Sequence, residues 1–135
     1  VVFRKYSPVG ELSSFAAQYA EVLSKTATLP TLVCDRDHVV AAAGVPRREY
    51  LERRVTPELE ECMQERHSFV STPRSRLCPV EGVERQASVV YPIIAQSDVT
   101  GAVVVLQAED GHEPGEAEAK LAQVAAGFLA SQLED

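Results

Sequence analysis

Two apolar segments in the C-terminal half constrain the fold more than any other feature of the chain. They read ASVVYPIIA and GAVVVL, and a polar stretch over residues 96–100 separates them. β-Branched residues dominate both segments, which is typical of β-strands, so the pattern predicts a β-hairpin. Pro92 has no amide hydrogen to donate. It therefore indicates a bulge or a place where the strand has a free side.

A second hairpin is predicted from TLPTLVCDRDHVVAAAG, in which two short apolar runs flank Asp35 and Asp37. Aspartate favours turns because its carboxylate can accept hydrogen bonds from nearby backbone amides. Residues 68–85 contain two prolines and mixed charges. That segment predicts no more than a loop or an edge strand.

Helices are predicted before, between and after the hairpins. Residues 8–25 carry apolar side chains at helical spacing, and the last helix has the same one-sided pattern. Each helix signal begins at a proline in the first turn, namely Pro8, Pro46, Pro57 and Pro114. Hairpins with helices outside them predict an α+β fold, with an antiparallel sheet beneath a layer of helices.

Composition indicates one globular domain. The chain has 135 residues, a hydrophobic content of 45% and no apolar run near the roughly 18 residues of a membrane span. The net charge is −7, with +2 on residues 1–54 and −9 on residues 55–135. This balance opposes binding to a phosphate backbone. Three cysteines without a C-x-x-C pair favour a reduced, cytoplasmic protein.

Motifs that could carry chemistry are weak. CDRDH lacks further ligands at metal-site spacing, so we expect a solvated turn and no metal. Cys34 and Cys62 fit core packing, and only Cys78, near several arginines, could be a reactive thiol. No phosphate-binding glycine loop, nucleophile elbow or carboxylate pair is present. We expect neither an enzyme nor a cofactor.

The last helix combines an apolar face with small residues around its surface, which indicates contact with another helix. That partner is either the first helix of the same chain or the terminal helices of a second copy. For a homodimer or higher homo-oligomer, three residues would act as anchors and three would allow close approach. The anchors are Phe128, Leu129 and Leu133, and the small residues are Ala126, Gly127 and Ala130.

Five segments together resemble the C-terminal half of the stage V sporulation protein T family, transcription regulators of spore-forming bacteria. They are KYSPVGELSSFAAQYAEVL, CDRD, YLERR, YPIIAQSDVTGAVVV and AAGFLASQLE. The resemblance implies a GAF domain, with a six-stranded antiparallel sheet, terminal helices on one face and a pocket under short helices and loops on the other. Residues 1–6 would be the stub of a swapped-hairpin DNA-binding domain, and residues 7–135 the GAF-like domain. DNA would be bound only through that N-terminal domain.

The implied pocket is predicted against the sheet face that carries Val89, Tyr91 and Ile93, because alternate residues of a strand share a face. Tyr50 and Met63 would cover it. An anionic ligand could also use Arg47 or Arg48, whose guanidinium groups match such anions; otherwise these two belong to a solvated basic face. The chain has no asparagine, which the cyclic-nucleotide signature of GAF domains requires.

Three functions follow from the resemblance. The first is a sensory and oligomerising GAF domain of a transcription regulator, with an unidentified small-molecule ligand. The second is a pure assembly module whose pocket is filled by its own side chains. The third, and most remote, is a thiol-based enzyme of the GAF superfamily. An open cavity between the sheet and residues 44–85 would separate the first from the second.

Overall fold

The computed structural model describes residues 13–27, 29–108 and 115–133. The predicted boundary after residue 6, the helix start at Pro8 and the proline at position 114 lie outside these residues. Four helices occur in the described part: α1 (Ser13–Ala27), α2 (Arg47–Tyr50), α3 (Pro57–Gln64) and α4 (Glu116–Leu133). Each coincides with a segment predicted to be helical. None of these helices has the length and apolar character needed to cross a membrane.

Both predicted hairpins are confirmed. The strands are β1 (Thr31–Asp35), β2 (Val39–Ala43), β3 (Phe69–Val70), β4 (Ala87–Ala95) and β5 (Asp98–Leu106). They form an antiparallel sheet in the order β2-β1-β5-β4-β3. The described residues thus form five strands where the resemblance implied six. In the segment before β4, prolines at positions 73 and 79 cannot donate to a ladder, and β3 is the strand of that segment that joins the sheet, beside isolated pairs at Val80 and between Thr72 and Ser75.

Pro92 lies where β4 has a neighbour on one side only. Its partner across the ladder is Ala102 of β5, whereas β3 pairs with Val89 and Val90 and ends before reaching it. The missing amide hydrogen therefore costs the sheet little at this position. The prediction of a free side at Pro92 is confirmed.

The terminal helices cover one face of the sheet, as predicted. Ala16 and Ala20 of α1 and Leu129 of α4 are buried in the helix-side core. From the sheet, Val33 and Val103 point into the same core. Small side chains on both helices let the backbones approach the sheet closely.

The short helices and the loops cover the opposite face. Their core consists of fifteen buried side chains, which include Tyr50 of α2, Leu59 and Met63 of α3, and Leu77 and Val80 of the following loop. These side chains lie against residues of β1, β2, β4 and β5. The central strands are therefore buried on both faces, which explains why their sequences show no alternation of apolar and polar residues.

Candidate functional site

The pocket predicted from the sequence is not assembled by the fold. Val89 and Ile93 are fully buried in the helix-side core, where α4 packs on β4, and Tyr91 packs against the same core. Tyr50 and Met63 belong to the core on the opposite face of the sheet. The prediction that these five residues enclose one ligand is therefore wrong, because alternate positions of β4 face the terminal helices.

A bulge at Ser88 contributes to this outcome. Ala87 belongs to the loop-side core and Val89 to the helix-side core, although a regular strand would place both on one face. The ladder between β4 and β5 shifts register between these two residues, and Ser88 is buried at the shift. One extra residue is enough to exchange the faces of a strand.

Arg47 and Arg48 lie on the solvent-exposed surface of α2. The Nη2 atom of Arg47 is 3.9 Å from Oε1 of Glu21 on α1, and both side chains are more than half exposed. Neither arginine lines the cleft described below. The placement matches the solvated basic face that was the alternative to an anion site.

A cleft of about 750 Å³ opens at the end of the sheet where the β1–β2 and β4–β5 turns project. We call it the hairpin cleft. Its walls are formed by the two turns, one face of α3, the residue Arg54 and the last residue of α4. The lining residues are Asp35, Arg36, Asp37, Arg54, Glu60, Met63, Gln64, Ala95, Gln96, Asp98, Val99, Thr100 and Leu133. This volume is within the usual range for small-molecule sites, roughly 300–1,000 Å³.

The β1–β2 turn is held by the carboxylate of Asp35. Its Oδ1 atom accepts hydrogen bonds from the backbone amides of Asp37 and His38, both at 2.7 Å. The imidazole Nδ1 of His38 lies 3.4 Å from the same oxygen. The side chain of Asp35 is almost fully buried, and it gives this wall of the cleft a defined shape. The turn chemistry predicted for the aspartates is confirmed.

The β4–β5 turn forms the opposite wall. Gln96 and Ser97 occupy its centre with φ angles of 52° and 69°, as in a type I′ turn. The hydroxyl of Thr100 donates a hydrogen bond of 3.0 Å to the carbonyl of Ile93 across the hairpin. Asp98 pairs with Ala95 at the tip of the hairpin.

Helix α3 provides the third wall, and its position depends on a cap. The hydroxyl of Thr56 accepts the backbone N–H of Leu59 at 3.2 Å and donates to the carbonyl of Cys78 at 2.6 Å. Leu59 and Met63 anchor one side of α3 in the loop-side core. Glu60, Met63 and Gln64 face the cleft, since positions i, i+3 and i+4 share a helix face.

The three thiols are poor candidates for nucleophilic chemistry. Burial raises the pKa of Cys34 far above its ordinary value of 9.0, and the adjacent carboxylate of Asp35 adds to the effect. Burial also raises the pKa values of Cys62 and Cys78, each assisted by nearby glutamates. Reactive cysteines have lowered pKa values instead. In the part of the chain that the structure describes, no group of three or more histidine, cysteine or acidic side chains could hold a metal ion.

The residues predicted for a dimer interface separate into two groups. Ala126, Leu129 and Ala130 are buried in the core of their own chain, so their assignment to an interface is wrong. Gly127 and Phe128 lie on the exposed side of α4. The Phe128 ring stacks on Phe15 and Tyr19 of α1, with ring centroids 5.4 Å and 5.0 Å apart, which confirms contact between the two terminal helices.

Leu133 packs on the edge of the helix-side core and lines the hairpin cleft. Its placement differs from the role as an interface anchor predicted for it. Sequence reasoning also missed Arg36, Gln64 and Asp98 as lining residues. The available signal was the polar character of both predicted hairpin turns, but pairing two separate turns at one site requires the strand order.

Comparison with known proteins identifies the fold and the family. Residues 11–134 match the model of the family described as stage V sporulation protein T C-terminal, transcription factor. The stage V sporulation protein T of Bacillus subtilis (strain 168) is 36% identical over 136 residues, covering 99% of this chain and 75% of that protein.

Two solved structures show the similarity of the fold. The GAF domain of a phosphoenolpyruvate-protein phosphotransferase from Acinetobacter has a TM-score of 0.70 at 11% identity, covering 96% of this chain and 83% of that one. The cofactor-binding GAF domain of the nutrient sensor CodY from Clostridium difficile has a TM-score of 0.58 at 12% identity, covering 87% and 83%. This chain has a GAF fold and belongs to the stage V sporulation protein T C-terminal family of transcription factors.

Proposed function

We propose that this chain is the sensory and assembly domain of a cytoplasmic, sporulation-type transcription regulator, and that the hairpin cleft is its ligand site. The hairpin cleft is the observation that supports this function. It combines charged, polar and apolar side chains in a concave site of suitable size. One of the structural relatives, CodY, is named as a nutrient sensor with a cofactor-binding GAF domain.

The position of the cleft differs from the one that the resemblance implied. The middle of the loop-side face is filled by the chain's own side chains, among them Leu59 and Val80, which are at most 1% exposed. That packing favours the alternative function, a pure assembly module. The hairpin cleft lies at the edge of this face, and part of α3 lines it. Its presence favours a sensor. Binding of a small molecule decides between them.

A cleft-blocking variant provides the test. Gln64→Trp places a large ring at an exposed position on the cleft wall, and Glu61→Trp is a matched control at an exposed position of the same helix that does not line the cleft. A low-molecular-weight extract of spore-forming cells should raise the thermal midpoint of the unmodified chain and of Glu61→Trp, but not that of Gln64→Trp. No response in any of the three proteins would contradict the sensory function and favour the assembly module.

Assembly is proposed to use the outer surface of the terminal helices. Val22 on α1 and Val124 on α4 are 60% and 61% exposed, and Phe128, which stacks on Phe15 and Tyr19 of α1, is 39% exposed. Large apolar side chains exposed on both terminal helices favour a protein contact. A second copy presents the same surface, and a two-fold axis would let the two helix pairs cover one another.

Light scattering tests this contact. Val124→Glu should lower the average mass of the chain towards that of a monomer, because it places a charge in the contact. Val70→Glu is the control, since Val70 is an exposed valine on the edge strand β3. A monomeric mass for the unmodified chain at about 100 µM, where micromolar contacts are mostly occupied, would refute the assembly role.

A further inference from the structure

We propose that the hairpin cleft recognises a small zwitterion, a molecule that carries an ammonium and a carboxylate group on a compact apolar body. This inference rests on the proposed function of the cleft as a ligand site. It follows from which charges in the cleft are already committed to the protein and which remain available.

Two charged groups of the cleft are engaged with each other. The Nη2 atom of Arg54, which pairs with His38 just before α3, lies 3.8 Å from Oε1 of Glu60 on α3. Asp35 uses its carboxylate to hold two amides of the β1–β2 turn. These three residues shape the walls; Glu60 offsets the charge of Arg54, and the two amides stabilise the carboxylate of Asp35. Asp37, another acidic residue of the lining, is also engaged within the protein.

Arg36 and Asp98 are differently placed. Both line the cleft, one on the β1–β2 turn and the other at the start of β5. Among the described residues, neither side chain has a hydrogen bond or an ion pair. The cleft therefore offers one free guanidinium and one free carboxylate from two different hairpins.

Strand register places these two groups on separate walls. Asp35, which precedes Arg36, pairs with Gly101, and Asp98 lies three residues further along β5 towards the tip of its hairpin. At about 3.4 Å per residue the β4–β5 hairpin extends about 10 Å past the end of β1. A ligand in the cleft would thus have the free cation at the level of the β1 end and the free anion towards the β4–β5 tip.

The charges of Arg36 and Asp98 disfavour ligands that carry only a positive or only a negative group. A simple anion would pair with Arg36 but would leave Asp98 unpaired and repel it, and a simple amine would do the reverse. A zwitterion can pair with both, with its carboxylate on the guanidinium fork and its ammonium on the aspartate. Arg36 and Asp98 are both exposed, so the zwitterion gains a second ion pair that the single-charge analogues lack and should bind more tightly than either.

Apolar side chains complete the site. Met63, Val99 and Leu133 contribute to the lining from α3, β5 and α4. Val99 and Leu133 are partly exposed and can contact the apolar body of a ligand whose ammonium and carboxylate groups point to the two turns, whereas Met63 is 2% exposed and adds little surface. The amide of Gln64 lies on the same wall as Met63 and can donate or accept one more hydrogen bond.

The test uses probes that differ by one charged group. The zwitterions are the standard L-amino acids, measured singly against the 135-residue chain by following the backbone amides of residues 96–100 with NMR. For phenylalanine the matched probes are phenethylamine, which lacks the carboxylate, and 3-phenylpropanoate, which lacks the ammonium. At least one amino acid should bind saturably with a dissociation constant of 1 mM or below. The amine and the carboxylate matched to that amino acid should bind at least tenfold more weakly.

Variants then test whether Arg36 and Asp98 are the charged residues that bind the ligand. Arg36→Gln and Asp98→Asn should each weaken binding of the responding amino acid at least tenfold. The controls Arg48→Gln and Glu81→Gln remove exposed charges outside the cleft and should change it less than twofold. Thermal midpoints within about 2 °C of the unmodified chain would show that the variants are folded.

The outcomes test the zwitterion proposal separately from the proposal that the cleft is a ligand site. The zwitterion proposal is wrong if an amine or a carboxylate binds as tightly as the amino acids. It is also wrong if Arg36→Gln and Asp98→Asn bind the responding amino acid as tightly as the unmodified chain. In both cases the cleft remains a ligand site. If no amino acid binds while the cell extract still stabilises the chain through the cleft, the ligand belongs to another class. If neither the extract nor any probe is bound, the proposed sensory function fails as well.

Discussion

Shortening Leu129 to alanine tests whether α4 is held by its own sheet or by a partner. Leu129 is 1% exposed and lies in the helix-side core with Ile93 and Val103. The change removes three carbon atoms, worth about 2.4 kcal/mol of transfer free energy at about 0.8 kcal/mol each. The cavity that remains raises the expected loss to about 3–4 kcal/mol. For a domain of this size the thermal midpoint should fall by about 12–16 °C.

Urea unfolding followed by circular dichroism measures this loss. It should be made at two protein concentrations that differ tenfold, because a dimer would make stability depend on concentration. Phe128→Ala is the matched comparison: it loses ring stacking on Phe15 and Tyr19, about 1–2 kcal/mol, and should weaken self-association. If Leu129→Ala loses less than about 1 kcal/mol while its mass falls to that of a monomer, the assignment of Leu129 to the chain's own core is refuted.

The β4–β5 turn, the buried thiol and the acidic surface each lead to a measurable expectation. Gln96→Asn with Ser97→Gly should raise the unfolding free energy by about 1 kcal/mol, because both residues have positive φ angles that asparagine and glycine adopt more easily; an unchanged or lower urea midpoint would contradict this reading of the turn. Because burial raises the pKa of Cys34, the stability it contributes is present below pH 9.0 and falls as the pH rises further. Cys34→Ala should therefore show a flatter loss of stability between pH 9 and 10.5, and identical slopes would count against the buried thiol. With a net charge of −7, the chain should show no sequence-selective DNA binding below 1 µM by fluorescence anisotropy at physiological salt, and selective binding would show that DNA recognition resides here.

Local chemistry made much of the fold predictable. The apolar stripes of α1 and α4 follow the helical period, and Thr56 with Pro57 signals the start of α3 before any contact is known. Asp35 supplies the turn of the first hairpin through hydrogen bonds to residues two and three positions away. These elements depend on neighbours in the sequence, which is why they were predicted correctly, and the family resemblance rested on their order.

Which face of each strand and helix turns towards the core depended on the tertiary structure. The sequence of β4 is apolar on both sides, so only packing under α4, together with the bulge at Ser88, directs Val89 and Ile93 to the helix side. The helical period marked one apolar face of α4, but only packing showed that Ala126 and Ala130 also turn towards the sheet.

The hairpin cleft illustrates the same limit at the functional site. Arg36, Gln64, Asp98 and Leu133 lie on four elements spread across most of the chain. The two turns meet because β1 and β4 both pair with β5, and packing of α3 and α4 on the two faces of the sheet adds the other two residues. The sequence by itself determined the local elements, the turns and their charges. Which of those turns share a cleft was decided by strand order and register, because long-range pairing has no local signal in the chain.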